Sequence, residues 1–203
     1  MSREALIKIT ILGDEGVGKK TFLNNILSSG KEENNSIGLK IKYYEFHEQE
    51  NNKRITVEIK IPASQERNKL ISKVVYEDND GFIILFDLND RKSFDNLKIW
   101  IQNIKDYCST NYLKLIIGNK SDLQRIFEKN DFQNFANENN SIYEEVDSIH
   151  NSKQCKKIFD DFIKNIYNHK KDTNNKNEQK ENVINTEEVE EVTKCCECCC
   201  HLF

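Results

Sequence analysis

Residues 7–21 read Ile-Lys-Ile-Thr-Ile-Leu-Gly-Asp-Glu-Gly-Val-Gly-Lys-Lys-Thr, and this stretch decides the fold. A phosphate-binding loop follows the pattern G-x-x-x-x-G-K-[ST], and Gly13, Gly18 and Lys19 match its first three fixed positions. The last fixed position normally carries a hydroxyl that binds Mg²⁺, but Lys20 occupies it here. The sequence therefore predicts a site that holds a phosphorylated ligand and is altered where the metal would bind.

The residues on both sides of the loop support this interpretation. Alternating apolar residues before Gly13 predict a buried strand, and residues 19–27 predict the helix that follows it. Loop glycines allow the backbone to point successive N–H groups at an anion, and the helix N-terminus adds partial positive charge. A strand-to-helix turn without a ligand is the alternative. The residues expected to contact phosphate here are Gly13, Glu15, Gly16, Val17, Gly18, Lys19, Lys20 and Thr21.

Length and composition limit the classes of protein to which the chain can belong. Its 203 residues suit one domain and a tail, and a domain of this size can bury a core without disulfides or metal. The net charge of −4 and the lack of a basic stripe argue against a nucleic-acid partner. Residues 1–10 contain no secretory signal, and the longest apolar run, residues 81–86, is too short to span a membrane.

Strand and helix patterns alternate along the chain. Helical spacing predicts one helix over residues 94–104, with Ser93 as its N-cap, and a last helix that carries an apolar face from Cys155 to Ile166. The alternation predicts an α/β fold, a mostly parallel sheet with helices on both faces and a ligand at the carboxyl ends of the strands. After the first strand, further strands are expected at 39–46, 54–61, 81–87, 113–118 and 142–146.

Composition also divides the chain along its length. Residues 1–168 are expected to form the folded domain, and residues 169–194 lose the apolar periodicity and are expected to be a disordered linker. Residues 195–203 contain five of the seven cysteines, a clustering that predicts a modified tail on a cytosolic chain.

The tail sequence indicates which modification to expect. Residues 200–203 fit the prenylation pattern C-a-a-X, in which a terminal Phe favours geranylgeranyl, so Cys200 is a candidate, with Cys199 and Cys198 beside it. Stable membrane attachment needs two signals, and a second lipid on this cluster would provide one. There are two alternatives to lipid. The C-x-x-C pairs could form a metal site together with His201, or the tail could be unmodified.

A second motif identifies a family. Residues 119–122, Asn-Lys-Ser-Asp, follow an apolar strand and resemble the guanine-specificity motif NKxD of the Ras-like small GTPases. The Asp122 carboxylate would accept hydrogen bonds from guanine N1–H and N2–H₂, which adenine lacks, while Asn119 and Lys120 would brace the loop and cover the base. A helix-capping loop is the alternative interpretation of these residues. The motif also disfavours a third class of function, that of a P-loop kinase or ATPase.

The stretch from residue 80 to residue 100 resembles the Rab branch of that family, which carries the pattern D-R-x-S-F-x-N-x-x-x-W there. The resemblance implies the small-GTPase fold with a six-stranded, mostly parallel sheet, binding of GTP or GDP with Mg²⁺, and a role in vesicle trafficking. It also implies effectors, prenylation and escort proteins and GDI-type partners. The expected location is the cytoplasmic face of an intracellular membrane, with a cytosolic pool.

Further positions follow from the same resemblance. Glu145-Val-Asp-Ser-Ile149 corresponds to the family's E-T-S-A-K, so the Ser148 amide would contact guanine O6 and Ile149 replaces a lysine beside the base. Ser36 takes the place of the threonine that binds Mg²⁺. Ser64 stands where a glycine amide meets the γ-phosphate, and Gln65 corresponds to the residue that orients the attacking water, or is an ordinary exposed residue.

The chain departs from the family pattern where the metal and the γ-phosphate bind. Ile61 replaces the aspartate that positions the water shell of magnesium, and Lys60 and Ile41 replace aromatic residues that Rabs present to effectors. Lys20 either provides a substitute cation or reflects relaxed selection on metal binding, and Glu15 disfavours the extra charge of GTP. We expect weak dependence on Mg²⁺ and slow hydrolysis, and a catalytically inactive membrane-bound adaptor is the alternative.

Overall fold

The structure is a computed structural model, and it describes residues 5–27, 32–34, 39–48, 53–62, 73–108, 111–125 and 128–173. The strands are β1 Ala5–Leu12, β2 Glu32–Asn34, β3 Leu39–Glu48, β4 Lys53–Pro62, β5 Gly81–Asp87, β6 Leu113–Asn119 and β7 Ile142–Val146. The helices are α1 Lys19–Ile26, α2 Lys73–Tyr76, α3 Arg91–Asp95, α4 Leu97–Tyr107, α5 Lys129–Glu138 and α6, residues 152–173.

All seven strands form one sheet in the order β2-β3-β4-β1-β5-β6-β7. β1 pairs in parallel with both β4 and β5, and β5, β6 and β7 continue in parallel, whereas β3 runs antiparallel to β2 and β4. The predicted α/β fold with a mostly parallel sheet is confirmed. The structure contains the six predicted strands and adds the short edge strand β2.

Helices cover both faces of the sheet, as the sequence predicts. Phe82, Ile84 and Phe86 of β5 belong to a buried cluster that includes residues of α4 and α5. Alternate side chains of a strand point to opposite faces, and on the other face Gly81 packs so closely against Phe162 and Ile166 of α6 that a Cβ atom would force the Ile166 side chain to shift. Burial on both faces explains why β5 is a continuous apolar run rather than an alternating one.

The helical segment predicted at residues 94–104 differs in detail from the prediction. It consists of two helices, α3 and α4, and the predicted N-cap Ser93 is wrong because Ser93 lies inside α3. Asp90 is the N-cap, and its carboxylate accepts a hydrogen bond from the Lys92 backbone N–H at 3.0 Å. The Ser93 hydroxyl is buried and accepts from the backbone N–H of Asp87 at 2.9 Å, so it fastens the end of β5.

The contacts of the chain divide it into two units, Met1–Ile166 and Tyr167–Phe203. The described residues of the second unit, 167–173, are helical, with the Lys171 ammonium 4.1 Å from the centroid of the Tyr167 ring. Residues 169–173 of the predicted linker are thus in helix, and the rest of the linker and the cysteine tail lie outside the described residues. Within the described part of the chain, no helix has the length and apolar character of a membrane span.

Candidate functional site

The phosphate loop and residues 119–122 lie where parallel strands β1, β5 and β6 end side by side. The phosphate loop begins at Gly13 directly after β1, and Lys120 directly follows β6. Adjacent parallel strands present their carboxyl ends at one edge of a sheet, and this edge is where α/β folds bind ligands. The fold therefore brings the two sequence motifs together although they are separated by about a hundred residues.

The phosphate loop adopts the backbone conformation that its glycines predict. Gly13, Gly16 and Gly18 have φ values of 134°, 81° and 99°, which other residues rarely adopt. Gly13 lies against the Leu85 carbonyl of β5, and a Cβ atom there would overlap it. Gly18 is the N-cap of α1 and lies equally close to the side-chain amide of Asn119. Both positions therefore require glycine for space as well as for conformation.

Lys19 places its ammonium group inside the loop. Its Nζ atom donates hydrogen bonds to the carbonyl oxygens of Gly13 at 2.7 Å and Asp14 at 2.5 Å. These contacts hold a positive charge beside the loop backbone, and a lysine at this position of the phosphate-loop pattern is expected to pair with phosphate. Glu15 and Gly16, at the tip of the loop, are exposed, whereas Val17 is buried.

Asn119 links the phosphate loop to the loop that follows β7. Its Nδ2 atom donates to the Val17 carbonyl at 2.8 Å, and its Oδ1 atom accepts from the Ser148 hydroxyl at 2.7 Å and the Ser148 amide at 3.2 Å. Asn119 and Ser148 are each 2% exposed, so these bonds are shielded from water. In this structure the Ser148 amide thus donates to Asn119, whereas the sequence predicts guanine O6 as its acceptor.

Lys120 is held by two residues that the sequence interpretation does not include. Its Nζ atom lies 2.6 Å from Asp87 Oδ2, and the other carboxylate oxygen accepts from the backbone and side-chain N–H groups of Asn89. Burial would raise the pKa of Asp87, but the hydrogen bonds from Lys120 and Asn89 outweigh it and lower the pKa. Lys120 itself has a positive φ of 62°, so this pair holds a residue in an uncommon conformation.

Asp122 remains exposed at the same edge of the sheet, beside Asp147 and His150. The side-chain ligand atoms of these three residues lie within 4.8 Å of one another. Asp147 organises this loop, because its carboxylate accepts from the backbone N–H groups of Ile149 at 2.8 Å and His150 at 3.1 Å. Desolvation opposes these bonds, but they dominate and lower the pKa of Asp147. The Ile149 side chain is 69% exposed.

The described residues at the family's magnesium position do not fit a magnesium ion. Mg²⁺ prefers oxygen ligands, but Lys20 supplies a cation in the first turn of α1 and Ile61 supplies an apolar side chain in β4. Thr21 has a hydroxyl, but it is one residue farther along α1 and therefore turned by about 100°. The other predicted residues of this region, Ser36, Ser64 and Gln65, lie outside the described residues.

Lys60 and Ile41 form a directly opposed pair on β4 and β3. Lys60 is only 8% exposed, and its ammonium donates to the Glu77 carbonyl at 3.2 Å. Burial lowers the pKa of Lys60. Ile41 packs against the core cluster. Neither residue presents a large aromatic surface, which agrees with the predicted departure from the Rab pattern at these positions.

Comparison with known proteins agrees with this geometry. A model of the Ras family matches residues 8–168, a segment that includes both the phosphate loop and residues 119–122. The chain belongs to the Ras family. Within the Ras superfamily it is Rab-like, as the next comparisons show, and the resemblance inferred from residues 80–100 is confirmed.

The Rab-like chain is 35% identical over 127 residues to "GTP-binding protein ypt2" of Schizosaccharomyces pombe, with 61% of this chain and 62% of that protein covered. It is 31% identical over 155 residues to "GTP-binding protein YPT1" of Saccharomyces cerevisiae, with 71% of each covered. It is 37% identical over 120 residues to "Ras-related protein RABD2a" of Arabidopsis thaliana, with 58% of each covered. Two of these three alignments span less than two thirds of the relative's length.

Proposed function

We propose that this Rab-like protein binds GTP and GDP, attaches to the cytoplasmic face of an intracellular membrane and acts in vesicle trafficking. We further propose that it depends weakly on Mg²⁺ and hydrolyses GTP slowly. The relatives whose printed names describe GTP-binding proteins support the nucleotide. Lys20 replaces the hydroxyl residue that binds Mg²⁺ in the family, and Ile61 replaces the aspartate that positions the water shell of magnesium. These two replacements support the weak dependence on Mg²⁺.

One observation carries the proposal of guanine-nucleotide binding. Asn119 donates to Val17 in the phosphate loop and accepts from Ser148 in the loop after β7, so a single buried side chain fixes two loops at one edge of the sheet. Each hydrogen bond is short and shielded from water. Such a connection positions a site for phosphates and a site for a base at a fixed separation, as a nucleotide requires.

In this proposal each residue has a stated part in binding. The loop backbone and Lys19 hold the phosphates, and the exposed Asp122 carboxylate accepts hydrogen bonds from the guanine edge. Lys120, held by Asp87, lies under the base, and the exposed Ile149 packs against it. Ser148 reaches guanine O6 only if its amide exchanges its hydrogen bond to Asn119.

The test is the nucleotide carried by the purified full-length chain. The protein is denatured, and the released nucleotide is identified by chromatography, with and without a preceding wash in EDTA. Bound GDP or GTP that survives chelation is the expected result. Nucleotide that is lost on chelation would contradict the weak dependence on Mg²⁺, and a folded chain without any nucleotide would contradict the proposal of binding.

A second function, that of a catalytically inactive membrane-bound adaptor, is favoured by the metal side of the site. Lys20 and Ile61 remove the charge neutralisation on which phosphoryl transfer depends, and Lys60 is buried against Glu77. Single-turnover hydrolysis of radiolabelled GTP by the full chain separates the two functions. Slow release of phosphate, abolished by Gln65→Ala, supports the switch, and no release over hours supports the adaptor.

Lipid on the tail is the part of the proposal that determines location. Mass spectrometry of the chain purified from eukaryotic cells should find prenyl groups on Cys200 or its neighbours Cys199 and Cys198. Replacement of all three by serine should move the protein from the membrane fraction to the cytosolic fraction. Unmodified cysteines with a membrane-bound chain would contradict the lipid anchor.

A further inference from the structure

The phosphate loop is fastened to α4 by the side chain of its second residue, Asp14. One carboxylate oxygen accepts a hydrogen bond from Asn96 Nδ2 at 2.5 Å, and the other accepts from the indole Nε1–H of Trp100 at 3.1 Å. Asn96 lies between α3 and α4, and Trp100 lies in the first turns of α4. Both donors come from residues more than eighty positions away along the chain, so the contact joins distant elements.

The local structure of α4 does not explain the position of the Asn96 side chain. Asn96 occupies the N-cap position of α4, where an asparagine side chain usually accepts from a free backbone N–H of the first turn. No such capping bond is formed here, and the side chain donates to Asp14 instead. Its backbone conformation, φ −72° and ψ −13°, is one that any residue adopts, so the bond to Asp14 is the contact in which the asparagine side chain differs from other residues.

A carboxylate in a phosphate loop is unfavourable unless it points away from the ligand. Asp14 follows Gly13 directly, and its carbonyl oxygen lies 2.5 Å from the Lys19 ammonium in the interior of the loop. If the Asp14 carboxylate turned toward this ammonium, it would neutralise the charge that phosphate needs and would repel the phosphate groups. The bonds from Asn96 and Trp100 keep the carboxylate on the outer side of the loop.

We propose that Asn96 and Trp100 are positioning residues for the nucleotide phosphates, and that they act by holding the Asp14 carboxylate away from the phosphate site. The proposal rests on the proposed function, because the ligand concerned is a nucleoside diphosphate or triphosphate. Asn96 and Trp100 lie outside the phosphate loop, and in this proposal they act on the ligand only through Asp14.

The test uses the full-length chain and the dissociation rate of a fluorescent GDP analogue. Asn96→Ala and Trp100→Phe each remove one donor, and the phenylalanine retains an aromatic ring. Each change should raise the dissociation rate about tenfold, since a hydrogen bond to a charged group contributes roughly that factor. Gln102→Ala, on an exposed face of α4, removes a side-chain hydrogen bond of the same helix and should leave the rate unchanged.

A rescue experiment separates positioning from stability alone. In the double variant Asn96→Ala with Trp100→Phe, the further change Asp14→Asn removes the charge that the tether restrains. Dissociation should then slow toward the wild-type rate, although no hydrogen bond to α4 has been restored. A double variant with the wild-type rate, or a triple variant as fast as the double, would overturn the proposal. Because Asn96→Ala alone leaves the ring of Trp100 in place, it tests the proposal even if the double variant does not fold.

Trp100 also allows the contact to be observed without nucleotide, because it is the single tryptophan of the chain. Its indole N–H gives one resonance in a nitrogen–proton correlation spectrum, and Asp14→Ala should shift that resonance and speed its exchange with water. No change in this resonance would overturn the tether. A chain that shows the tether but binds no GDP overturns the proposed function, whereas a chain that binds GDP with variant rates equal to wild type overturns only the positioning role.

Discussion

The base side and the metal side of the nucleotide site differ in how completely they are built. On the base side, Asn119 bridges two loops with bonds of 2.7 and 2.8 Å, and Lys120 lies 2.6 Å from the half-buried carboxylate of Asp87. On the metal side, Lys20 and Ile61 stand where the family places oxygen ligands and a carboxylate. The base side forms a connected hydrogen-bond network, and the side chains at positions 20 and 61 offer no oxygen ligand to a divalent cation.

Under the proposed function, this difference makes holding a nucleotide and reporting its γ-phosphate separable properties of the fold. The base-side residues contribute to the stability of the loops themselves, so their loss would damage the domain as well as the ligand site. The metal-side residues at positions 20 and 61 make no comparable network among the described residues. We therefore expect substitutions on the base side to have the larger effects.

The largest effect is expected for Asn119→Ala. This change leaves the Val17 carbonyl and the Ser148 hydroxyl without their bonds to Asn119 in a buried setting, which should lower the free energy of unfolding by about 3 kcal/mol. Affinity for GDP should fall on the order of 100-fold, since the same residue fixes both loops. Urea denaturation and equilibrium titration with GDP measure the two effects.

Asn137→Ala is the matched control for that experiment. Asn137 lies on the exposed side of α5 and accepts a hydrogen bond from Gln133, so its loss should change stability by less than about 0.5 kcal/mol. If Asn119→Ala and Asn137→Ala changed the free energy of unfolding and the affinity for GDP equally, the base side would not differ from an ordinary helix surface.

The next largest effect is expected from rebuilding the metal side. Lys20→Thr with Ile61→Asp restores a hydroxyl and a carboxylate, and Mg²⁺ should then slow GDP dissociation at a concentration about tenfold lower than in wild type. The measurement is the dissociation rate of GDP as a function of free Mg²⁺, with EDTA as the zero point. If the double variant depends on Mg²⁺ no more than wild type does, Lys20 and Ile61 are not the cause of the proposed weak dependence on Mg²⁺.

Lys20→Ala separates the two interpretations of Lys20. It removes the ammonium without adding a metal ligand, so GDP should dissociate faster if Lys20 neutralises phosphate charge. If relaxed selection alone explains Lys20, the rate should match wild type. Measured in EDTA, this comparison is independent of any bound metal.

The elements of the site that sequence could predict are those with local signals. Glycines at fixed spacing predict the loop at Gly13 to Gly18, and an apolar run predicts β5 and the loop that follows it. Asn119 and Asp122 are recognisable because the motif is contiguous. The partner contacts are not local, and neither the Asp87 carboxylate under Lys120 nor the Asp14 contact with α4 has a sequence signal that specifies its partner.

Errors in the predicted fold have a similar origin. Ser93 is a good N-cap residue by type, but Asp90 lies three residues earlier, offers a carboxylate to the Lys92 N–H and begins the helix first. Helices α2 and α5 and strand β2 are absent from the prediction. The apolar face of α5 is short, with Phe132 and Ala136 as its buried residues, and β2 is a three-residue edge strand. Weak local patterns that depend on tertiary packing are the hardest to predict.

A smaller effect is expected for Asp87→Asn, and it depends on pH. The folded state lowers the pKa of Asp87 below its ordinary value of 3.8, so the unfolded chain binds more protons in that range. The resulting stability is present at neutral pH and is lost as the pH falls from 3.8 through the lowered pKa. The variant should be less stable by about 1–2 kcal/mol at pH 7 and should approach wild type in acid.

The measurement is urea denaturation of Asp87→Asn and wild type from about pH 2.5 to about pH 7, because carboxylates titrate within this range. It gives the difference in the free energy of unfolding at each pH. Asp106→Asn is the control, because Asp106 is exposed and bonds to Gln102 on the surface of α4. A difference between Asp87→Asn and wild type that stays constant down to the lowest pH would argue that shape, and not charge, accounts for the role of Asp87.

The smallest effect is expected for Glu15→Ser, which sharpens the comparison within the phosphate loop itself. Glu15 is exposed, so water screens its repulsion of the γ-phosphate, and the ratio of GTP affinity to GDP affinity should rise only about two- to fivefold. Screening also predicts that the difference between variant and wild type shrinks as salt is raised. Glu138→Ser, at the exposed end of α5, should leave the ratio unchanged. GTP carries more negative charge than GDP at the position nearest Glu15. An increase in affinity that is confined to GTP and to low salt would therefore show that the charge of Glu15 disfavours GTP. An equal increase in affinity for both nucleotides would show that the substitution acts through the conformation of the loop.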